Sequence, residues 1–392
     1  MAELLEKNHQ YDNKGDVFTS YNVEDFDVPS GRDEIWRFIS LRNIRGLHNG
    51  KFPTQTAADI AVEIPAADAA NGVTAQVVSK DNERVTYAGA PSDRVAAQAW
   101  SAMEAATLIT VPKNLSATAP IMVKITGQGI DKTAFGAIVV DVEAHAEATV
   151  VISYTGSATY ADNLRFNIGD GASLNVIVDA DWENDTVHLS QHVAAVGRDA
   201  YLNHSVATFG GQIVRIVPRV GYTAQGGNVK MLGVYFADDG QYFENRLLVD
   251  HSAPNCTSNV LYKGALQGDP DTKTETRTCW VGDVFIRNTA YNTNTYEANR
   301  NLVLSEGARA DAIPNLEIAT GDIPGAGHAA TVGRFDDLHV FYLMSRGIPE
   351  AEARRLIVHG FFTEVINQIP IESVRQELER RVESELASVT IS

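Results

Sequence analysis

The sequence predicts a mainly β protein whose core, from about residue 107 to residue 335, is a parallel β-solenoid. Short alternating runs rich in Val, Ile, Thr and Tyr recur throughout this region, separated by Gly, Asp and Asn. Similar segments return at Ala148, Ala172, Ala200, Asn228 and Ala308, and the first three spacings are 24, 28 and 28 residues. Such a period, with about three short strands in each repeat, is typical of solenoid coils. Tight hairpin signals are scarce, but a large antiparallel sandwich remains an alternative.

The sequence predicts that residues 1–106 form a separate N-terminal domain before this core. We expect this mixed helical region to contain both helices and strands, as an α/β region does. The stretch "SGRDEIWRFISLRNI" indicates a short helix that begins after a capping Ser30. The segment 56–87 reads as short strands joined by polar turns. A second helix is predicted from about Asp93 to Ala106, where the pattern changes to that of a strand.

Residues 336–392 predict a C-terminal helical domain. One helix follows Pro349, and apolar residues recur along it at helical spacing. Pro370 ends it, and a second helix carries Val374, Leu378, Val382 and Leu386 four residues apart. Amphipathic helices after a solenoid either cap its open end or dock a partner, and the sequence favours capping.

Composition and charge exclude several classes of function. The net charge of −18, from 50 acidic and 32 basic residues, repels phosphate backbones and anionic lipids, so neither nucleic acid nor membrane is an expected partner. The sequence has no long apolar run, and its first residues do not form a secretory signal. Two cysteines give no disulfide framework, so a reduced, cytoplasmic location is expected.

The common catalytic motifs are missing. The chain has no phosphate-binding GxxxxGK followed by Ser or Thr, no HExxH, no GxSxG and no paired-cysteine zinc signature. We therefore expect that it does not bind ATP by itself and is not an enzyme. One weak alternative is a carbohydrate lyase built on a β-helix, in which Asp238, Asp239 and Arg246 would attack acidic sugars with the help of calcium.

Three groups of residues have metal-binding chemistry. His188 and His192 lie four residues apart and share one face, either as a metal pair or, more ordinarily, as surface residues. Cys256 and Cys279 are expected to be buried, inert thiols. His328 stands in "GAGHAA", where no neighbouring side chain offers a hydrogen bond. Its imidazole either bonds a backbone carbonyl or faces a close-packed interface as a metal ligand, and both interpretations stay open.

Four blocks of sequence resemble a known family. They are "HSAPNCTSNVLYKG", "NRNLVLSEGARADAIPNLEI", "GHAATVG" and "FYLMSRGI", and they occur in the same order and at the same spacing as in the SufB/SufD family of iron–sulfur cluster assembly proteins. The resemblance is strongest over about residues 245–370. The chain is short and lacks a cysteine-rich N-terminal motif, so it is more similar to the SufD branch than to the SufB branch.

The resemblance implies a right-handed parallel β-helix between helical ends. It also implies a scaffold subunit of the SUF complex, which pairs with a SufB-like subunit through the β-helix and holds a SufC-like ABC ATPase with its C-terminal helices. We expect no cofactor bound stably by this chain alone, and a transient iron ion or iron–sulfur cluster shared with the SufB-like subunit. A homodimer in isolation, or a SufB-like homodimeric cluster carrier, is the alternative within the family.

The resemblance also points to individual residues. His328 takes the place of the family's motif histidine, which is implicated in cluster assembly or iron entry, so it is the candidate metal ligand, with further ligands from the partner chain. Many members carry a cysteine where this chain has Ala326, so a site held by this chain alone is not expected. The candidate ATPase-docking residues are Phe341, Tyr342, Ser345, Arg346, Gly347, Ile348 and Phe361.

Overall fold

In the computed structural model the chain winds into a β-solenoid of about eight coils. The structure describes residues 13–272, 274–334 and 337–388. Each coil contributes one strand to each of two sheets, and from coil to coil the strands pair in parallel. The predicted solenoid is therefore confirmed, and the antiparallel sandwich is excluded.

The strands of the first sheet are β1 (Thr54–Ala57), β3 (Thr74–Ser79), β4 (Ala105–Val111), β6 (Gly129–Val142), β8 (Ala158–Ile168), β10 (Val187–Val196), β12 (Ile213–Tyr222), β14 (Tyr242–His251), β16 (Thr276–Ile286) and β18 (Ala308–Ile318). Those of the second sheet are β2 (Asp59–Glu63), β5 (Ile121–Thr126), β7 (Glu147–Gly156), β9 (Ser173–Trp182), β11 (Tyr201–Thr208), β13 (Asn228–Ala237), β15 (Thr257–Leu266), β17 (Asn294–Val303) and β19 (Gly325–Arg334). The helices are a short 3-10 helix (Val23–Asp25), α1 (Ala66–Ala70), α2 (Glu83–Thr86), α3 (Arg94–Ala102), α4 (Asp337–Ser345), α5 (Glu350–Ile366) and α6 (Glu372–Ser388).

The true repeat is read from the strand register. In the second sheet the aligned positions are Glu147, Ser173, Tyr201, Asn228, Thr257, Asn294 and Gly325, which gives steps of 26, 28, 27, 29, 37 and 31 residues. The spacing from Ala172 to Ala200 matches this register. Ala148 lies two residues away from it, and Ala308 belongs to the other sheet. The prediction of three short strands per repeat is wrong, because alternation continues unbroken through strands of about ten residues.

Alternation decides which side chains fill the solenoid. Val150 and Ile152 belong to the interior cluster between the two sheets, whereas Val151 between them belongs to a different cluster on the outside. This period of two is that of a pleated strand, in which successive side chains point to opposite faces. Because both faces of these sheets carry apolar residues, the outer faces must be covered by other parts of the chain.

The two outer faces are covered by the two ends of the chain. On the first sheet, Trp36 and Trp100 of the N-terminal region pack with Phe135 and Leu189. On the second sheet, α5 and α6 pack their apolar stripes along the coils, and their buried residues join Ile177, Leu232 and other outward side chains. The prediction that the C-terminal helices cap the open end is wrong, because α5 and α6 bury their apolar residues on the outer face of the second sheet.

The N-terminal region is only partly as predicted. Helix α3 is confirmed, and the Asp93 carboxylate caps it by accepting a hydrogen bond from the Ala96 amide at 2.9 Å. The short helix predicted after Ser30 is wrong. The chain forms turns there, and it buries Trp36 and Ile39 against the solenoid without helical hydrogen bonding. Tertiary packing overrides the local helical pattern.

The two ends of the solenoid differ. At the N-terminal end β2 and β3 pair antiparallel with β5 and β4, which breaks the parallel series. At the C-terminal end β18 pairs with β16 and β19 pairs with β17, and within the described residues neither strand has a second neighbour. Side chains on β18 and β19 are mostly half-buried or exposed. We call these two strands the open edge.

In addition to its apolar contacts, helix α6 is bound to the second sheet by ion pairs of Arg381, which give the first testable prediction. Arg381 donates to Asp179 at 2.8 Å and lies 3.1 Å from Asp181, both on β9. Burial raises the pKa of Asp179 to about 6, so loss of its partner leaves a poorly solvated carboxyl. We expect Arg381→Met to lower the free energy of local opening of α6 by about 2 kcal/mol, measured by amide hydrogen exchange.

Arg380→Met is the matched control, because Arg380 is exposed and pairs with Glu377 on the same helix. Equal exchange rates in α6 of the two variants would contradict the role of Arg381.

Candidate functional site

His328 lies on β19, at the open edge and on the inner side of the sheet. Ala326, two residues earlier on the same face, packs against the interior cluster. In the register of the two strands, His328 stands opposite Glu297 of β17. Its side chain is 43% exposed. One side of the imidazole ring therefore faces the interior of the solenoid, and its other side is exposed to solvent at the open edge.

Glu297 is buried directly behind this imidazole. Its Oε1 atom lies 3.9 Å from Nδ1 of His328. Within the described chain neither carboxylate oxygen has a hydrogen-bond partner. Burial, with a smaller effect from the charge of Asp283, raises the pKa of Glu297 to about 8. Gly282 of β16 makes room for the carboxylate, since a Cβ atom there would lie 2.4 Å from Oε2.

The neighbours of Glu297 on the inner face of β17 have hydrogen-bond partners. Thr295 Oγ1 lies 2.6 Å from Ser258 Oγ. Asn299 donates to the hydroxyl of Tyr235 at 2.9 Å and accepts from Asn301 at 2.6 Å. These networks hold β17 in place beside the open edge, whereas Glu297 on the same face has no hydrogen-bond partner within the described residues.

The sequence did not reveal Glu297. It lies 31 residues before His328, and the coils near this end vary from 29 to 37 residues in length. Only the register shows that the two residues are neighbours. An acidic residue at an inward position of a predicted strand was the available signal, and the inward positions could not be assigned without the register.

Most of the candidate docking residues lie on or just after α4. Phe341 and Tyr342 are exposed, together with Leu338 and Met344. Arg346 donates to the hydroxyl of Tyr342 at 2.8 Å, and Ser345 donates to the Tyr342 carbonyl at 2.7 Å.

The chain turns after these residues. Gly347 has a φ of +87°, a left-handed conformation that suits a residue without Cβ. The Ile348 amide donates to the carbonyl of Leu343, which closes the end of α4.

Phe361 is placed apart from this group. It lies on α5, partly buried against the outer face of the second sheet. Its ring centroid is 4.6 Å from Nζ of Lys263, which also donates to the Phe361 carbonyl and to Glu364. Phe361 thus helps to fasten α5 to β15 and does not extend the exposed apolar surface of α4.

The paired histidines of β10 are buried in the solenoid, so the expectation that they lie on the surface is wrong. His188 contacts Asp162 at 3.2 Å and accepts a hydrogen bond from Trp182 at 3.1 Å. His192 instead contacts His204 across the interior, at 2.9 Å. A spacing of four within one strand puts both side chains on the same face, and here that face is the inner one.

The remaining candidates are dispersed. Cys256 and Cys279 are buried free thiols, as predicted, and burial raises the pKa of Cys279 to about 12. Arg246 contacts Glu244, whereas Asp238 and Asp239 lie in the turn before β14. Among the residues that the structure describes, no three His, Cys, Asp or Glu side chains form a metal-binding group. None of the described helices combines the length and apolarity needed to cross a membrane.

Comparison with known proteins identifies the family. Residues 123–361 match the family model for the SUF system FeS cluster assembly, SufBD core domain. An iron–sulfur cluster assembly SufBD family protein of Mycobacterium bovis is 52% identical over 376 residues, which cover 95% of this chain and 93% of that protein. The chain belongs to the SufBD family.

Two more distant SufBD relatives are informative. The iron–sulfur cluster assembly protein SufD of Bacillus subtilis is 30% identical over 283 residues, 68% of this chain and 61% of that protein. A second SufBD family protein of Mycobacterium bovis is 28% identical over 205 residues, 52% of this chain and 23% of that protein. The predicted family is confirmed, and the SufBD match begins far upstream of the block at residue 245. The chain is a SufBD family iron–sulfur cluster assembly protein.

The buried histidines of this SufBD protein predict acid sensitivity. Burial lowers the pKa of His204 to about 4 and that of His192 well below its usual range, whereas an unfolded chain protonates histidine near pH 6.5. The unfolded state therefore binds more protons below that pH, and stability falls as the pH falls. At about pH 5 each histidine costs about 2 kcal/mol.

The measurement is urea unfolding at about pH 7 and about pH 5, for the wild type and the double variant His192→Leu/His204→Met. Carboxyls with a raised pKa, such as Glu297, change stability in the opposite direction in both proteins, so the difference between the two proteins isolates the histidines. We expect the variant to lose less stability on acidification. An identical loss in both proteins would refute the assignment.

Proposed function

We propose that this chain is a non-catalytic scaffold subunit of a cytoplasmic SUF complex, in the SufD role, which pairs with a SufB-like subunit at the open edge. The observation that carries the proposal is the open edge itself, with His328 facing the end of the solenoid. Two long strands that have no neighbour on one side among the described residues are a template for pairing with another chain. Exposed apolar side chains on them, Ile318 and Val332, favour a protein partner over solvent.

An unlike partner fits this proposal better than a second copy. Mycobacterium bovis has two SufBD family proteins, one close to this chain and one distant from it, as expected where two different members assemble together. Ala326 supports the same choice. Two copies of this chain would bring two imidazoles and no thiolate to a shared edge, and iron–sulfur clusters are held mainly by cysteine thiolates.

The exposed apolar surface of α4 is proposed as the docking site of a SufC-like ABC ATPase. The side chains of Leu338, Phe341 and Tyr342 are 75%, 69% and 55% exposed. Such exposure is unusual for three large apolar side chains on one short helix. α4 begins three residues after the end of β19. A movement of α4 would therefore pull on the strand that carries His328.

This connection gives a physical role to ATP. An ATPase that changes shape on binding ATP would draw α4 away and strain the open edge, so that the space between the two scaffold subunits opens to iron and sulfide. The cargo would be a transient iron ion or a nascent cluster, held between His328 and ligands of the SufB-like subunit. In this proposal the chain forms no covalent intermediate and turns over no substrate of its own.

The first test changes His328 to Ala. We expect the variant to assemble with the SufB-like and SufC-like subunits of its own organism, because the side chain is half-exposed and lies 3.9 Å from Glu297, beyond hydrogen-bond distance. Cluster maturation in a strain that depends on the chain should fall sharply, measured as the activity of an iron–sulfur enzyme.

The control for this test is His145→Ala, since His145 is an exposed histidine in the turn before β7. Full maturation with His328→Ala would refute the site. Wild-type protein that purifies as a homodimer, without a SufB-like subunit, would favour the homodimeric carrier.

The second test changes the surface of α4. We expect the double variant Phe341→Ser/Tyr342→Ser to lose co-purification with the ATPase, because its apolar contact is removed, while the SufB-like subunit still co-purifies. Val77→Ser, at an exposed apolar residue of β3, is the control. Retained ATPase would show that docking occurs elsewhere. Point variants are preferable to truncation, because deleting α5 and α6 would uncover the outer face of the second sheet.

A further inference from the structure

Glu297 is a buried acidic residue beside His328 that the proposed function does not use. It is completely buried, and its two carboxylate oxygens have no hydrogen-bond partner within the described residues. Burial of a polar group without a hydrogen-bond partner is unfavourable in apolar surroundings, and burial of a carboxylate is more unfavourable still. The neighbours Thr295 and Asn299 on the same face have partners. A simple packing role would be served at lower cost by an apolar residue.

The group that faces this carboxylate is the imidazole of His328. The register of β17 and β19 places the two residues side by side, and the atoms that approach are Oε1 and Nδ1, at 3.9 Å. This separation is somewhat longer than a hydrogen bond. Rotation of the imidazole would shorten it, and the two neighbours on the same face, Ala326 and Ala330, are small enough to leave room for that rotation. Gly282 leaves room for the carboxylate from the opposite sheet.

We propose that Glu297 and His328 form a carboxylate–imidazole dyad, in which the Glu297 carboxylate accepts a hydrogen bond from the Nδ1–H group and leaves Nε2 of His328 as the ligand for divalent iron. This inference rests on the proposed function, and Glu297 is a positioning residue in it. In metal sites, histidine ligands commonly donate their second ring proton to a carboxylate, which fixes the ring orientation and raises the basicity of the ligating nitrogen. Imidazole nitrogen is a suitable ligand for divalent iron.

The dyad explains how a histidine with Ala326 two residues earlier can act without a thiolate from its own chain. The exposed side of the ring turns towards the end of the solenoid, where a partner would supply the other ligands. The buried carboxylate behind the ring supplies the negative charge that a neutral imidazole lacks. When the cation binds, its charge offsets the cost of the buried carboxylate.

The experiment uses Co²⁺ as an anaerobic spectroscopic probe for Fe²⁺, titrated into the complex of the full chain with its SufB-like and SufC-like subunits. Glu297→Gln keeps the shape of the side chain and removes the charge. We expect it to bind Co²⁺ roughly 10–100-fold more weakly, the usual effect of losing such a partner. His328→Ala should lose this binding. Glu297→Asp, which restores the charge, should recover part of it.

The control Glu306→Gln removes an exposed carboxylate near the same end of the solenoid and should bind like the wild type. If Glu297→Gln binds Co²⁺ as tightly as the wild type, Glu297 is a neutral space-filling acid and the inference is overturned. The wild type provides a second measurement that needs no Glu297 variant. With Zn²⁺ bound, the ¹⁵N resonances of His328 should show a protonated Nδ1 and a metal-bound Nε2, and metal on Nδ1 would overturn the inference.

The outcome separates this inference from the proposed function. A complex that assembles and matures clusters, with equal Co²⁺ binding by the wild type and Glu297→Gln, keeps the proposed function and rejects the dyad. If no complex with a SufB-like subunit forms, the proposed function fails, and the same titration is made on the isolated full chain. Weaker binding by Glu297→Gln then supports the dyad. Equal binding, or no binding by the wild type, rejects it.

Discussion

The backbone hydrogen bonds between parallel coils are the constraint on which this structure depends. A parallel strand satisfies its amide and carbonyl groups only through a neighbour on each side, so every coil needs another coil above it and below it. The series can end where the direction of pairing changes, as at β2 and β3. It can also stop with its hydrogen-bonding groups presented outward, as at β18 and β19. The position of His328 follows from the second kind of end.

The two covers of the solenoid reinforce this asymmetry. The N-terminal region lies on the outer face of the first sheet, and α5 and α6 lie on the outer face of the second. Both covers satisfy the need of a sheet with two apolar faces, and neither extends over β19, whose side chains stay half-buried or exposed. On α4, which follows β19, Leu338, Phe341, Tyr342 and Met344 are exposed, whereas Val340 is buried. The open edge and the exposed surface of α4 are therefore adjacent along the chain.

The sequence predicted the solenoid and the family, because periodic alternation and long motif blocks are local properties of a chain. It also made His328 a candidate site residue, whose role stays a prediction. It did not predict Glu297, because coil lengths between 26 and 37 residues hide which residues are aligned. The apolar spacing predicted the amphipathic faces of α5 and α6, but it did not predict the surface against which these helices pack. His188 and His192 show the same limit, since a shared face is readable from spacing whereas its inward direction is a property of the whole sheet.

The open edge also restricts the strand register of any chain that pairs with it. Side chains alternate between inside and outside along a strand, so a partner strand offers every second residue to the space in front of His328. A partner that docks with a shift of one residue would keep its backbone hydrogen bonds and turn its ligands to the outside. In the proposed complex, insertion of a single residue into the partner strand would therefore preserve backbone pairing and remove the partner's ligands from the space in front of His328. A partner of this edge would thus need the correct strand register as well as sufficient affinity.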